Sequence, residues 1–73
     1  MAKNIKEAKA ELKKYGRVIF RGVQIVETKK MNGNWQEYTG RYWVTPEGHE
    51  EPINDDAVTI GKAFELAKPH FQG

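Results

Sequence analysis

The two imidazoles, His49 and His70, are the side chains of this 73-residue chain best suited to acid–base chemistry. Covalent catalysis has few candidate nucleophiles, because the chain contains neither Cys nor Ser. A histidine in a polar turn or near a chain end lacks the positioned partner and the substrate pocket that a general base requires. We therefore predict a protein that is not an enzyme, and RNA cleavage through His49 or His70 is the least favoured alternative.

The segment 47–56 is rich in carboxylate oxygens. Its titratable residues are Glu47, His49, Glu50, Glu51, Asp55 and Asp56. Their spacing matches neither the EF-hand loop nor the His-Glu-x-x-His zinc motif. We interpret the segment as a solvated turn followed by helix caps, and we predict neither a bound metal nor a cofactor. A negative patch that docks on a basic partner is the alternative.

Aromatic and cationic side chains alternate in the part of the chain that is predicted to form a sheet. The candidate binding residues are Lys29, Lys30, Trp35, Arg41 and Trp43. Such a set suits stacking on bases with phosphate contact, although Trp and Arg also dominate protein–protein hot spots and tryptophans also simply shield a sheet. We predict a small binding module with nucleic acid as its partner. The alternative is a protein partner, including a second copy, on the same face or on segment 47–56.

The charges are distributed unevenly along the chain. Residues 1–30 carry nine Lys or Arg and three Glu, whereas residues 31–73 carry three Lys or Arg and seven Asp or Glu. The basic first helix forms either a phosphate-binding surface, together with Arg17, Arg21, Lys29 and Lys30, or a solvated face paired with Glu7 and Glu11. A net charge of +2 is small for a dedicated nucleic-acid-binding protein.

Length and composition predict one small α+β domain over residues 1–73. A chain this short builds a single small core, and it has no Cys with which to cross-link it. No apolar run approaches the ~20 residues that span a bilayer, and the basic N-terminus has no apolar leader segment. These features predict a cytoplasmic location.

The first helix is predicted over residues 5–15. Asn4 is a favoured N-cap, and Glu7 lies three residues on, at the position of the capping-box carboxylate. Gly16 follows as a left-handed C-terminal stop. The apolar stripe consists of Ile5, Ala8, Leu12 and Tyr15.

The next elements are predicted to be strands. β-Branched and aromatic residues begin at Val18, with a bulge or bend at Gly22. The Asn32-Gly33 pair predicts a type I′ turn that places Val23 opposite Tyr42. The inner face, toward the helices, then comprises Val23, Ile25, Tyr38, Tyr42 and Val44. The outer face comprises Val26, Lys30, Trp35, Arg41 and Trp43, with Phe20 if the bulge leaves it there.

The rest of the chain predicts a short edge strand at residues 49–53 and a second helix. Asp55 or Asp56 caps this helix, and Pro69 ends it near Lys68. Its apolar stripe consists of Ile60, Ala63, Phe64 and Ala67, and Phe71 folds back on the core. The predicted order is α-β-β-(β)-α, an antiparallel meander sheet with two helices packed on one face.

This order of elements resembles the double-stranded-RNA-binding domain and the HicA-type RNA-cleaving toxins, and the sheet aromatics resemble the DNA-binding arm of phage-type integrases. Where the first family opens its last helix with basic residues, this chain reads Asp55-Asp56-Ala57-Val58-Thr59. The Gly-Ser-His-like context of the second family's histidine is missing, because there is no Ser. The resemblance concerns the fold and implies no function.

Overall fold

The computed structural model describes residues 3–72, which form an α+β fold with a three-stranded antiparallel sheet in the order β1-β2-β3. The elements in chain order are α1 (Ile5–Tyr15), β1 (Arg17–Phe20), β2 (Val23–Asn32), β3 (Trp35–Pro46), α2 (Ile60–Ala67) and a short 3₁₀ helix (Lys68–His70). The predicted fold class is confirmed. Within residues 3–72 the helices are too short and too polar to cross a membrane.

The first helix has the predicted bounds, N-cap residue and C-terminal glycine. The side chain of Asn4 accepts a hydrogen bond from the backbone N–H of Glu7 (2.9 Å). The Glu7 carboxylate accepts one from the backbone N–H of Lys3 (2.9 Å), rather than from that of Asn4 as the capping box predicts. Gly16 ends the helix with φ 77° and donates its N–H to the carbonyl of Leu12 (2.8 Å). These local hydrogen bonds satisfy backbone groups that the helix itself leaves unpaired.

The core lies between the inner sheet face and both helices. Its buried members are Ala8, Leu12, Val18, Phe20, Val23, Ile25, Tyr42, Val44, Ala63, Phe64 and Ala67. Phe71 folds back as predicted, with its ring edge-to-face on Phe20 at a centroid distance of 5.3 Å. Ile5 and Tyr15, the outer members of the first helical stripe, remain 37% and 60% exposed. α1 therefore contributes to the core through its middle residues, Ala8 and Leu12.

Of the bulge or bend predicted at Gly22, the structure has a bend and no bulge, because a two-residue turn at Arg21-Gly22 separates β1 from β2. Phe20 pairs with Val23, and both turn residues have positive φ (48° and 79°), as a type I′ turn requires. Arg is disfavoured at positive φ, so local sequence gave little sign of this hairpin. Because of this turn, Arg17–Phe20 is a separate strand, β1, and the sheet has three strands without residues 49–53. The turn also places Phe20 on the inner face, where it is buried.

The second turn also differs from the prediction, because its central residues are Gly33-Asn34 rather than Asn32-Gly33. Gly33 has φ 66°, as at the first central position of a type II′ turn. Farther from this turn, residues 39–41 lie opposite Thr28 alone, so Val23 faces Pro46 instead of Tyr42. Each displacement moves the partner by two residues, an even number, and the strand residues therefore keep their predicted inner or outer face.

Residues 49–53 form no strand, and the cap of α2 lies three or four residues later than predicted. Instead, residues 53–58 run along the free edge of β3. Ile53 donates its N–H to the carbonyl of Val44 (2.8 Å), and Val58 pairs with Tyr42 through two backbone hydrogen bonds. Because this extended segment is held against β3, helical backbone starts only at Ile60, with Thr59 rather than Asp55 or Asp56 at the cap.

Candidate binding surface

The outer sheet face is the face that neither helix covers, because the buried residues of α1 and α2 all join the core on the inner face. Strand residues alternate between the two faces. The outer face therefore carries Arg17, Ile19, Gln24, Val26, Thr28, Lys30, Asn32, Trp35, Glu37, Thr39, Arg41, Trp43 and Thr45. Four of the predicted binding residues belong to it, namely Lys30, Trp35, Arg41 and Trp43.

Trp43 lies where the outer face is widest, in a row that crosses all three strands. Arg17 pairs with Val26, and Val26 pairs with Trp43. Neighbouring strands are ~4.8 Å apart, so Arg17 lies two strands, or ~10 Å, from Trp43. Arg41 lies two residues before Trp43 on the same strand and face, ~7 Å away. The half-buried Trp43 therefore has an arginine position on two sides, Arg17 beyond Val26 and Arg41 on its own strand.

A two-stranded arm extends beyond this wide region. β1 pairs only with residues 23–26 of β2, so residues 28–41 continue as a hairpin with no third strand. The last backbone hydrogen bond on that edge is the one from the N–H of Glu27 to the carbonyl of Gly16 (2.8 Å). Residues 29–41 are all exposed, and the molecule measures 43 × 24 × 18 Å. β2 has 10 residues and is ~33 Å long, so the hairpin that contains the arm lies along the 43 Å dimension.

The bulge at residues 39–41 marks the base of the arm. Gly40 has φ 72° and donates its N–H to the carboxylate of Glu27 (2.9 Å). The hydroxyl groups of Thr28 and Thr39 are hydrogen-bonded to each other across the two strands. A bulge bends the strand that contains it and increases its twist. It therefore sets the direction in which the arm leaves the sheet.

At the tip of the arm, Glu37 holds the indole of Trp35. The Glu37 carboxylate accepts hydrogen bonds from the Asn32 amide (3.0 Å) and from the Trp35 indole N–H (3.2 Å). These two bonds, first that from Asn32 and then that from Trp35, lower the pKa of Glu37. Glu37 also lies directly opposite Lys30. The only acidic residue on the outer face is therefore engaged with its neighbours, and Trp35 stays 61% exposed.

Lys29 is the one predicted binding residue that the structure does not bring to this face. It precedes Lys30 and so points to the opposite side of the arm. There its Nζ lies 5.4 Å from the centroid of the Tyr38 ring, and Tyr38 is 57% exposed. The five residues predicted together are thus divided between two faces, four on one and one on the other.

The two histidines come together at the end of the molecule opposite the arm tip. The rings of His49 and His70 lie edge-to-face with centroids 5.9 Å apart, and both side chains are exposed. Glu50, Glu51, Asp55 and Asp56 are also exposed. Among residues 3–72, no three His, Asp or Glu side chains are grouped in a way that would hold a metal ion.

Sequence reasoning missed two residues of the outer face. The sequence groups Arg17 with the basic residues of the first helix. A bulge at Gly22 would leave undetermined whether the side chain of Ile19 points to the inner or the outer face. With the β1–β2 turn in place, Arg17 and Ile19 face outward and Val18 and Phe20 inward, and Ile19 is 68% exposed. The alternation of Arg17 to Phe20 carries this signal, but its phase depends on the position of the turn.

Comparison of the chain with protein-family models, with curated proteins and with solved structures returned no match. A function for this protein is therefore inferred from its own residues and surfaces.

Proposed function

We propose that this chain is a small nucleic-acid-binding module that uses the outer sheet face, and that it acts in the cytoplasm without a catalytic step. One observation supports this most directly. The uncovered face combines two tryptophans with three cations, Arg17, Lys30 and Arg41, and its only acid is already engaged by hydrogen bonds. Aromatic rings stack on bases and cations contact phosphates, which is the combination that nucleic-acid-binding sheets use.

The charge on this face differs from the charge of the whole chain. The chain has twelve Lys or Arg against ten Asp or Glu, close to neutral. The outer face has three cations against one acid, and the acidic residues of segment 47–56 lie beyond the last residue of β3, Pro46. A small net charge therefore does not argue against local attraction of a polyanion.

Fluorescence anisotropy with labelled oligonucleotides at ~50 mM salt tests the proposal. We expect binding that weakens as salt increases, with a slope of log K against log[salt] of about −2 to −3, because three cations neutralise at most three phosphates. The matched variants are Arg41→Gln on the outer face and Arg21→Gln in the β1–β2 turn, where the guanidinium lies 5.4 Å from the ring of the core residue Phe20.

Arg41→Gln should weaken binding and make the salt slope less negative by about 0.7–0.9. Arg21→Gln should leave both quantities within error of the unmodified protein. The proposal fails if no oligonucleotide binds at low salt, and the assignment to the outer face fails if the two variants behave alike.

A protein partner is the second candidate, and the unpaired edges of the arm favour it. Residues whose backbone N–H and C=O point away from the partner strand alternate along a hairpin. Because Glu27 bonds to Gly16 on the β1 side, Lys29 and Met31 point to that side too, and β1 does not reach them. Such an edge accepts an added strand from another chain, including a second copy. Light scattering at several protein concentrations tests self-association directly.

A further inference from the structure

We infer that the ligand of the outer face is a single-stranded nucleic acid, with a base stacked on Trp43 and phosphates at Arg17 and Arg41. This inference rests on the proposed function and adds to it the class of nucleic acid and the centre of the site. The arm tip, including Trp35, then lies at the periphery.

The small number of cations on the outer face favours a single strand over a duplex as the ligand. A duplex presents its phosphates and hides the faces of its bases, so proteins that bind it commonly make about 6–10 phosphate contacts. The outer face has three cations, and Trp43 has two apolar neighbours there, Val26 beside it and Ile19, which is 68% exposed. Apolar and aromatic surface has little to contact on a duplex backbone, whereas it suits unpaired bases, whose faces are free.

The distribution of charge places the centre of the site at Trp43. At the tip, Glu37 opposes Lys30 and accepts the indole N–H of Trp35, so the local charge there is cancelled. Beside Trp43, Arg17 and Arg41 face no acid on the outer face. A polyanion is therefore attracted to the wide region of the sheet more strongly than to the arm.

Polar side chains suited to base edges surround the same position. Gln24 and Thr45 form the next cross-strand pair on one side of Trp43, and Thr28 lies on the other side. Gln and Thr supply both donors and acceptors of hydrogen bonds. Bases that are splayed from a single strand present their edges to such groups, while a duplex pairs those edges internally.

The separation of the two tryptophans makes the inference testable. Trp35 pairs with Asn32 and Trp43 pairs with Val26, six residues apart on β2, so the two tryptophans are ~20 Å apart at ~3.3 Å per residue. No single nucleotide contacts both rings, so the two can be removed independently. They also provide a matched pair of Trp→Ala changes on one strand and one face.

The experiment measures anisotropy with a labelled single strand of about 12 nucleotides, as oligo-dT and oligo-U, and with a duplex of the same length. We expect the single strand to bind at least ~10-fold more tightly than the duplex. Trp43→Ala should weaken binding roughly 5- to 150-fold, the loss found for one stacked base, and Trp43→Phe should retain most of the affinity. Trp35→Ala should weaken binding by a smaller factor than Trp43→Ala, because Trp35 lies at the periphery of the site. Urea midpoints show whether each variant stays folded. If Trp43→Ala does not fold, the affinity of Trp43→Phe for the single strand and for the duplex decides the test.

Each other outcome has a distinct meaning. Equal binding of duplex and single strand overturns the inference and leaves the proposed function in place. A loss at Trp35→Ala that equals the loss at Trp43→Ala overturns the assignment of the centre. If neither nucleic acid binds, the proposed function fails, and the inference fails with it.

Discussion

Asn54 is predicted to stabilise the fold strongly, because its side chain takes the place of a neighbouring strand at the edge of β3. Its Oδ1 accepts the N–H of Val44 (3.0 Å), and its Nδ2 donates to the carbonyls of Tyr42 (3.2 Å) and Asp56 (2.8 Å). The site is partly buried, so water replaces these bonds poorly when the side chain is removed.

The expected loss for Asn54→Ala follows from these three bonds. Each contributes about 0.5–1.5 kcal/mol net, and an unsatisfied buried N–H adds to the loss. We expect a decrease of about 3 kcal/mol in the free energy of unfolding. A domain of this size has about 4–11 kcal/mol in total, so the loss is a large share of its stability. The melting temperature should fall by about 12–24 °C.

Urea denaturation followed by circular dichroism measures this loss, and Asn32→Ala is the matched control. Asn32 also makes a side-chain hydrogen bond, to Glu37, but at the exposed arm tip, and its removal should change the stability by less than ~0.5 kcal/mol. Asn54→Asp keeps an acceptor for Val44 but places a carboxylate against two carbonyls, so it should be destabilising at neutral pH. If Asn54→Ala and Asn32→Ala lose the same small amount, the assignment of an edge-replacing role to Asn54 is wrong.

Three other predictions concern titration and glycines. Burial raises the pKa of Tyr42 above its usual 10, so stability should fall as pH rises above about 10, and this decrease should be smaller in Tyr42→Phe when urea midpoints are compared. The lowered pKa of Glu37 predicts that the NMR signal of the Trp35 indole N–H shifts with a midpoint below 4.5, and a midpoint at or above 4.5 would contradict the bond. Gly16→Ala should lose about 1–2 kcal/mol, because Gly16 has φ 77°, whereas Gly61→Ala, in a helix with open space around it, should gain up to ~1 kcal/mol; urea titrations that give both the same sign would refute this.

The local elements were predictable because their signals lie within a few residues. The bounds of α1 follow from Asn4, Glu7 and Gly16, whose hydrogen bonds join residues at most four positions apart in the chain. The apolar stripe of α2 likewise packs as predicted, with Ala63, Phe64 and Ala67 buried. Such contacts do not depend on how the rest of the chain is arranged.

The sorting of side chains into two faces was also predictable, although the register was not. The turn lies one residue late and the bulge adds two residues, but each change moves the pairing by two positions. Faces repeat with period two, so Trp35, Arg41 and Trp43 remain on the outer face in either register. The predicted composition of the outer face is therefore correct although the turn position and the register were predicted wrongly, because both differences shift the pairing by an even number of residues.

The sequence by itself determined the first helix, the apolar stripe of the second, the α+β class and the β2 and β3 residues that share the outer face, because helix caps and side-chain periodicity act over short distances. Only the tertiary structure decided that Arg17 and Ile19 join that face and that residues 53–58 cover the edge of β3. Those outcomes depend on strand pairings between distant residues and on a left-handed Arg21. Burial of the whole core stabilises these features against their local cost, and no short window of sequence contains that free energy.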